Sequence, residues 1–383
     1  MAKSLYFGII AGEKSGDILG AALMVSLRKK FPEAKFVGIG GPAMVALGCE
    51  SLAEIDRLSV MGFIEPLARL PELFRLKKRL EDRFLHQEIA VFIGIDSPDF
   101  NLRVANNLHS RGIKTVHFVS PSVWAYRKGR IFGIKKSVDL MLTLFPFESE
   151  IYKKHDIPVS CVGHPLADQI GFEDRKLAYR KAFGISETKT VVALMPGSRA
   201  GEISRLAPIF FNAAMKSLQK HSNLEFLVPY SGEEAKSLLK VQLDRDLTRP
   251  NKKLSLVKNS HKAISASDLV IMASGTATLE AVLLRRPMII CYKLAPLSYV
   301  LASLLLKVPY VGLPNLLAGK ELVPEYLQGA VTASVLSRQI DEFLSSPNSH
   351  RKVLEEFDHI HKMLRRGASD KAAHAIASLI GRA

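Results

Sequence analysis

The chain has 383 residues, enough for two domains, with 48% hydrophobic and 23% charged residues, as in a globular protein with a substantial core. Lys and Arg outnumber Asp and Glu by 53 to 37, and the net charge of +16 favours an anionic partner: nucleic acid, acidic lipid headgroups or a phosphorylated substrate. Three widely spaced cysteines, Cys49, Cys161 and Cys291, argue against a disulfide framework and a zinc site, and no uncharged apolar run reaches the ~18 residues needed to span a bilayer.

Continuous apolar runs at 5–11, 35–39, 90–95, 114–119, 140–144 and 159–163 predict strands covered on both faces. Helical patterns lie between them, such as Ile18 to Lys30 with Asp17 as its N-cap. A second series of strands is predicted at 190–196, 224–229, 254–257, 268–273 and 287–292, after a polar linker at 168–176. From Ser334 onward the pattern is helical. The expected fold class is α/β: two Rossmann-like doubly wound domains, an interdomain cleft and a helical C-terminal tail. The boundaries fall at 1–168 for the first domain and 169–345 for the second. Helices in 346–383 would return to the first domain. The N-terminal run leads into AGEKSGD without a signal-peptide cleavage pattern.

In the second half, Pro196-Gly197-Ser198-Arg199 follows a strand and Glu202 opens a helix, a turn suited to an anion, with Arg199 adding forked donors. Ser274-Gly275-Thr276 follows another strand, and Glu280 sits one turn into the next helix, where a carboxylate could accept ribose hydroxyls. Each loop alone also reads as an ordinary capped turn; together they point to a nucleoside diphosphate. Neither loop has a Walker A lysine, and no G-x-G-x-x-G fingerprint with a following acidic residue is present, which argues against P-loop and nicotinamide chemistry.

In the first half, Gly12 to Asp17 crowds Glu13, Ser15, Gly16 and Asp17 into one strand-to-helix turn suited to a sugar acceptor, or to plain capping. Asp96, at the end of a strand, is the candidate general base, with Asp99 as the alternative or a helix cap. Ser122, the only tryptophan, Trp124, and Arg127 share another strand-end loop, which binds a sugar or anchors itself. Between Ser59 and Phe84, apolar residues including Phe63, Ile64, Leu67, Leu70, Phe74 and Leu76 recur near helical spacing beside Arg75, Lys77, Lys78 and Arg79. Pro66 and Pro71 are expected to interrupt that helix. Periodicity alone favours a helix packed on its own sheet.

The motifs SGDILGA, GIGGPAM, GIDSPDFN, SPSVWAYR, FPFE, VGHPLAD, PGSRAGEI, SGTATLE and PNLLAGKELVPEYLQ, in this order, resemble those of the lipid A disaccharide synthase family, with Tyr126 where the family usually has a second tryptophan. The resemblance implies a glycosyltransferase of the B type, metal-independent and without a cofactor. UDP-2,3-diacylglucosamine would be the donor and 2,3-diacylglucosamine 1-phosphate, lipid X, the acceptor. Inverting transfer would give the β-1,6 disaccharide 1-phosphate and UDP. Asp96 would be the base, and Arg199, Gly197, Ser198, Glu202, Ser274, Gly275, Thr276, Glu280 and Asn315 would hold the nucleotide. Residues 60 to 76 would dip into the anionic inner face of the inner membrane of a Gram-negative cell. No nucleic acid is implied, and self-association is compatible with the sequence. Rivals are a UDP-sugar 2-epimerase or the lipid II-forming transferase on the same fold, and a nucleic-acid-binding protein drawn by its charge.

Overall fold

The apolar runs become parallel strands. In the computed structural model, which describes residues 5–58, 65–125, 128–246, 253–295, 299, 308–346 and 350–381, they form two sheets. The first comprises β1 (Tyr6–Ala11), β2 (Lys35–Ile39), β3 (Cys49–Ser51), β4 (Val91–Ile95), β5 (Lys114–Phe118), β6 (Leu140–Thr143) and β7 (Val159–Cys161). Its order is β3-β2-β1-β4-β5-β6-β7. The second comprises β8 (Thr190–Met195), β9 (Leu224–Pro229), β10 (Leu254–Val257), β11 (Leu269–Ala273), β12 (Met288–Tyr292) and β13 (Glu325–Leu327), in the order β10-β9-β8-β11-β12-β13. All the pairings are parallel. The two strands not predicted, β3 and β13, are three-residue edge strands that each contain a glutamate, so no continuous apolar run marks them.

In both sheets the winding direction reverses beside the first strand, between β1 and β4 and between β8 and β11. Such switch points open a crevice at the carboxyl ends of the strands, where doubly wound sheets bind ligands.

The chain divides into one unit of Met1–Asp168 with Leu364–Ala383 and another of Gln169–Met363. The expected tail therefore splits. The helix Arg351–Leu364 belongs, but for its last residue, to the second unit. The final helix, Ala368–Leu379, adds Ala372, Ala373 and Ile376 to the core cluster that holds Phe7, Leu23 and Ile93. Asp168 docks it: its carboxylate accepts the Gly367 and Ala368 N–H groups at 2.9 and 2.7 Å, capping the helix. VGHPLAD thus has a structural use. Gly163 lies at φ 89°, where a Cβ would stand 2.4 Å from the Leu364 carbonyl.

Two local expectations are corrected. The first helix starts at Lys14 rather than Ile18, so Asp17 lies inside its first turn and does not cap it. Asp17 is buried and accepts the Ala43 and Met44 N–H groups at 2.9 and 3.0 Å, capping the short helix Pro42–Ala46. Gly41 makes room, since a Cβ there would lie 2.6 Å from that carboxylate. AGEKSGD and GIGGPAM are two halves of one contact.

The second correction concerns the amphipathic stretch, which forms one helix, Glu65–His86, running through Pro71. Pro66 suits a first turn, and a proline within a helix forfeits one N–H bond without ending it when packing holds the rest. Here Leu76, Leu80 and Phe84 are buried with Ile10, Val37 and Phe92, so Leu76 is core and not a lipid contact. Phe74 is 53% exposed. Phe63 and Ile64 lie outside the described residues, as do the side chains of Leu67 and Leu70. No helix among the described residues is long and apolar enough to cross a membrane.

Candidate active site

Sheet register brings two loops of the first unit together. Ala11 of β1 pairs with Ile95 of β4, so Gly12 and Asp96 leave adjacent strands side by side at the switch point. The Gly12 N–H donates to the Ile95 carbonyl at 3.3 Å, and a Cβ on Gly12 would fall 1.7 Å from the Ser97 Oγ. Only glycine permits that approach.

Asp96 and Ser97 both adopt left-handed backbone conformations, with φ of 53° and 41°. Successive non-glycine residues in that region cost energy and persist where the surroundings over-determine them, commonly at functional sites. What holds them is visible. The Asp96 N–H donates to the Phe118 carbonyl at 3.1 Å, and the buried Asn101 amide donates to the Asp96 and Ile95 carbonyls at 2.7 and 3.2 Å. Burial pushes the Asp96 carboxyl up to about 6, with the nearby Glu13 charge adding to it. A carboxylate of that basicity is matched to taking a proton near neutral pH. Asp99 instead lies in the first turn of the helix Pro98–His109 and pairs with Arg130.

Glu13 and Ser15 are exposed, but Gly16 is buried against Ala11 and Ile95 and Asp17 is spent on its cap. Asp17 thus offers its carboxylate to no substrate and is corrected to a structural residue, while Gly16 has only its backbone to present, in the first turn of the helix. Ser122 is exposed, and Trp124 packs edge-on against Phe147 with centroids 5.2 Å apart. Phe147 stacks on Phe145, and Phe145 on His164, so a string of rings anchors this loop. Arg127 lies outside the described residues.

In the second unit, Met195 of β8 pairs with Met272 of β11, so the Gly197 and Ser274 loops emerge side by side at its switch point. Gly197 has φ 110°, and a Cβ there would meet the Glu202 carboxylate at 2.3 Å. That carboxylate accepts the Ser198 N–H at 3.2 Å and approaches the Arg199 N–H at 3.5 Å, the reach-back half of a capping box. The backbone donors expected to await a phosphate already carry an anion of the chain's own. The Arg199 guanidinium, 66% exposed, lies 3.5 Å from the same carboxylate. Beside it, burial and the Glu202 charge raise the Tyr292 hydroxyl.

In the other loop, Ser274 Oγ donates to the Val311 carbonyl at 3.2 Å, Gly275 faces open space and Thr276 is exposed. Glu280 pairs with His261 Nδ1 at 3.0 Å, a partner the sequence did not indicate. Asn315 is corrected. It is fully buried, donating to the Val323 carbonyl and the Glu325 carboxylate at 2.9 and 2.7 Å and accepting the Leu322 and Val323 N–H groups at 2.7 and 2.9 Å. Its hydrogen-bonding capacity is full. Glu325 in turn accepts the Val311 and Gly312 N–H groups, so Asn315 fixes the segment on which Ser274 leans.

Among the described residues no group of three His, Cys, Asp or Glu side chains is placed to hold a metal ion.

Comparison with known proteins decides the family. The model of the lipid-A-disaccharide synthetase family matches residues 7–379. A lipid-A-disaccharide synthase from Saccharophagus degradans is 50% identical over 97% of this chain and 96% of its own. One from Cellvibrio japonicus is 48% identical over 99% and 98%. The chain belongs to the lipid-A-disaccharide synthetase family. It is accordingly a glycosyltransferase of lipid A biosynthesis. Solved structures agree on the fold. The UDP-GlcNAc 2-epimerase of Neisseria meningitidis superposes with a TM-score of 0.62 at 11% identity, covering 99% of this chain and 100% of that one. A glycosyltransferase of Rickettsia africae superposes with a TM-score of 0.61, also at 11%, covering both chains fully. The fold is the glycosyltransferase B architecture.

Proposed function

We propose that this member of the family transfers 2,3-diacylglucosamine from UDP to the 6-hydroxyl of 2,3-diacylglucosamine 1-phosphate, with inversion at the anomeric carbon. Asp96 takes the hydroxyl proton as the oxygen attacks that carbon. The bond to UDP breaks, and UDP departs with the electron pair. Arg199 opposes the charge growing on the diphosphate, and the Ser274-Gly275-Thr276 loop and Glu280 hold the nucleotide. The products are the β-1,6-linked tetraacyl disaccharide 1-phosphate and UDP. The first unit takes the acceptor, and the second takes the donor.

The observation that carries this reading is Asp96, strained into a switch-point turn with its carboxyl raised to about 6. Both substrates carry acyl chains, so the enzyme works as a peripheral protein on the inner face of the inner membrane. Phe74, with Phe63, Ile64, Leu67 and Leu70, would enter lipid, and the +16 charge supports attraction to anionic headgroups.

The test is product analysis by mass spectrometry after incubation with both substrates. Acceptor-dependent appearance of UDP and the tetraacyl disaccharide 1-phosphate is expected. UDP formed equally without acceptor, or a donor epimerised at C2 with no disaccharide formed, contradicts the reading.

A further inference from the structure

Glu280 stands in the first turn of the helix Ala277–Leu283, which opens directly after the Ser274-Gly275-Thr276 loop at the carboxyl end of β11. His261 stands in the first turn of the helix Ser260–Ala266, the crossover from β10 to β11. β9 and β8 lie between those two strands, so the crossover passes over both. A crossover leaves a parallel sheet at the carboxyl ends of its strands, the side that binds ligands. The first turn of this one therefore shares that side with Glu280. Asn259 fixes where the crossover helix begins, its side chain accepting the Lys262 N–H at 2.9 Å.

His261 Nδ1 lies 3.0 Å from Glu280 Oε1. An ionised carboxylate only accepts, so Nδ1 carries the hydrogen and donates it, which sets the tautomer of the ring. The ring is braced in turn by Tyr179, which meets it edge-on with centroids 6.3 Å apart. No other side chain among the described residues is hydrogen-bonded to the Glu280 carboxylate. That side chain is 16% exposed, shielded enough for one hydrogen bond to orient it and still open to a ligand. One oxygen is thus committed to the imidazole, and the other is left for an outside donor. A carboxylate already fixed at one oxygen loses less freedom when a ligand binds the second.

We propose that His261 is a positioning residue for the nucleotide, holding one oxygen of Glu280 so that the other meets the ribose hydroxyls of UDP. The inference deepens the nucleotide assignment made above and rests on it. His261 acts through Glu280 and touches no substrate.

The experiment is calorimetric titration of the full-length chain with UDP and with 2′,3′-dideoxy-UDP, which lacks the hydroxyls Glu280 would accept. Wild type, His261→Ala, His261→Asn, Glu280→Ala and the double variant His261→Ala/Glu280→Ala are compared. The wild type is expected to prefer UDP by roughly tenfold or more, and His261→Ala to lose most of that preference while binding the dideoxy nucleotide within about twofold of wild type. His261→Asn, whose amide can donate from nearly the position of Nδ1, should recover most of the preference. In the Glu280→Ala background, loss of His261 should change little further. The preference is a ratio within each variant, so a general loss of stability does not mimic it.

Equal weakening of both nucleotides by His261→Ala would mean that His261 contacts the nucleotide itself or only supports the fold, and overturns the proposal. So would an undiminished preference in His261→Ala, or fully additive losses in the double variant; in those cases the assignment of Glu280 to ribose still stands. A wild type that binds both nucleotides equally refutes that assignment, and the role of His261 with it.

Discussion

Asp96 is held at φ 53° with its carboxyl raised to about 6 by burial and Glu13. The folded chain thus keeps a proton there that the unfolded chain has released, between the ordinary carboxylate range and about pH 6. This group's contribution to stability falls as pH rises through that window and levels off above it. Activity runs the other way, since a base must be ionised. We expect kcat/KM to rise with pH along a limb near 6 rather than near 4. Asp96→Asn should lose activity by orders of magnitude while remaining folded and no less stable at neutral pH; a variant that unfolds would make Asp96 a structural residue. Glu202 makes a second prediction at this scale. Its carboxylate sits on the amides a diphosphate would seek, so Glu202→Gln, which keeps an acceptor oxygen but removes the charge, should tighten UDP severalfold by calorimetry. A tenfold weakening would mean that Glu202 itself contacts the nucleotide.

Elements position these residues through buried polar links. Asn315 is the strongest case: Asn315→Ala leaves the Leu322 and Val323 N–H groups and Glu325 without partners. The expected cost is ~2–4 kcal/mol, read as a lower Tm with weaker UDP binding; an unchanged Tm would show the network to be dispensable. The helix Glu65–His86 divides along its length. Phe74→Ser should reduce vesicle binding without changing Tm, whereas Leu76→Ser should cost about 3 kcal/mol or more. The eleven strands read from apolar runs were legible because parallel strands covered on both faces are continuously apolar, as the central ones are, and the partly buried edge strands β7 and β10 keep enough of that pattern. The switch-point loops were legible through their glycines. Asn315 and Asp17 were misread because a polar residue beside a loop looks the same whether it faces ligand or a helix end. What distinguishes them is the partner: the Ala43 and Met44 amides for Asp17, the β13 approach for Asn315. Neither partner is marked in one sequence. Asn101 and His261 stayed silent for the same reason.

For the whole molecule, the last helix is part of the first unit's core although it is last in sequence, and Asp168 ties it there. Removing the cap with Asp168→Ala should cost ~1 kcal/mol and speed amide exchange in the 368–379 helix more than in β1 or β4. Uniform acceleration would mean that the chain unfolds as one block. Both sheets repeat the same strand order around the same kind of switch point, and each presents its distinctive loops there. That shared geometry supports assigning the proton-taking step to one unit and the nucleotide to the other. The most direct test is UDP release with and without 2,3-diacylglucosamine 1-phosphate, on wild type and Asp96→Asn, alongside calorimetric UDP binding. The account predicts acceptor-dependent release by the wild type only, with equal UDP affinity in both. Full release by Asp96→Asn, or release indifferent to acceptor, would contradict it.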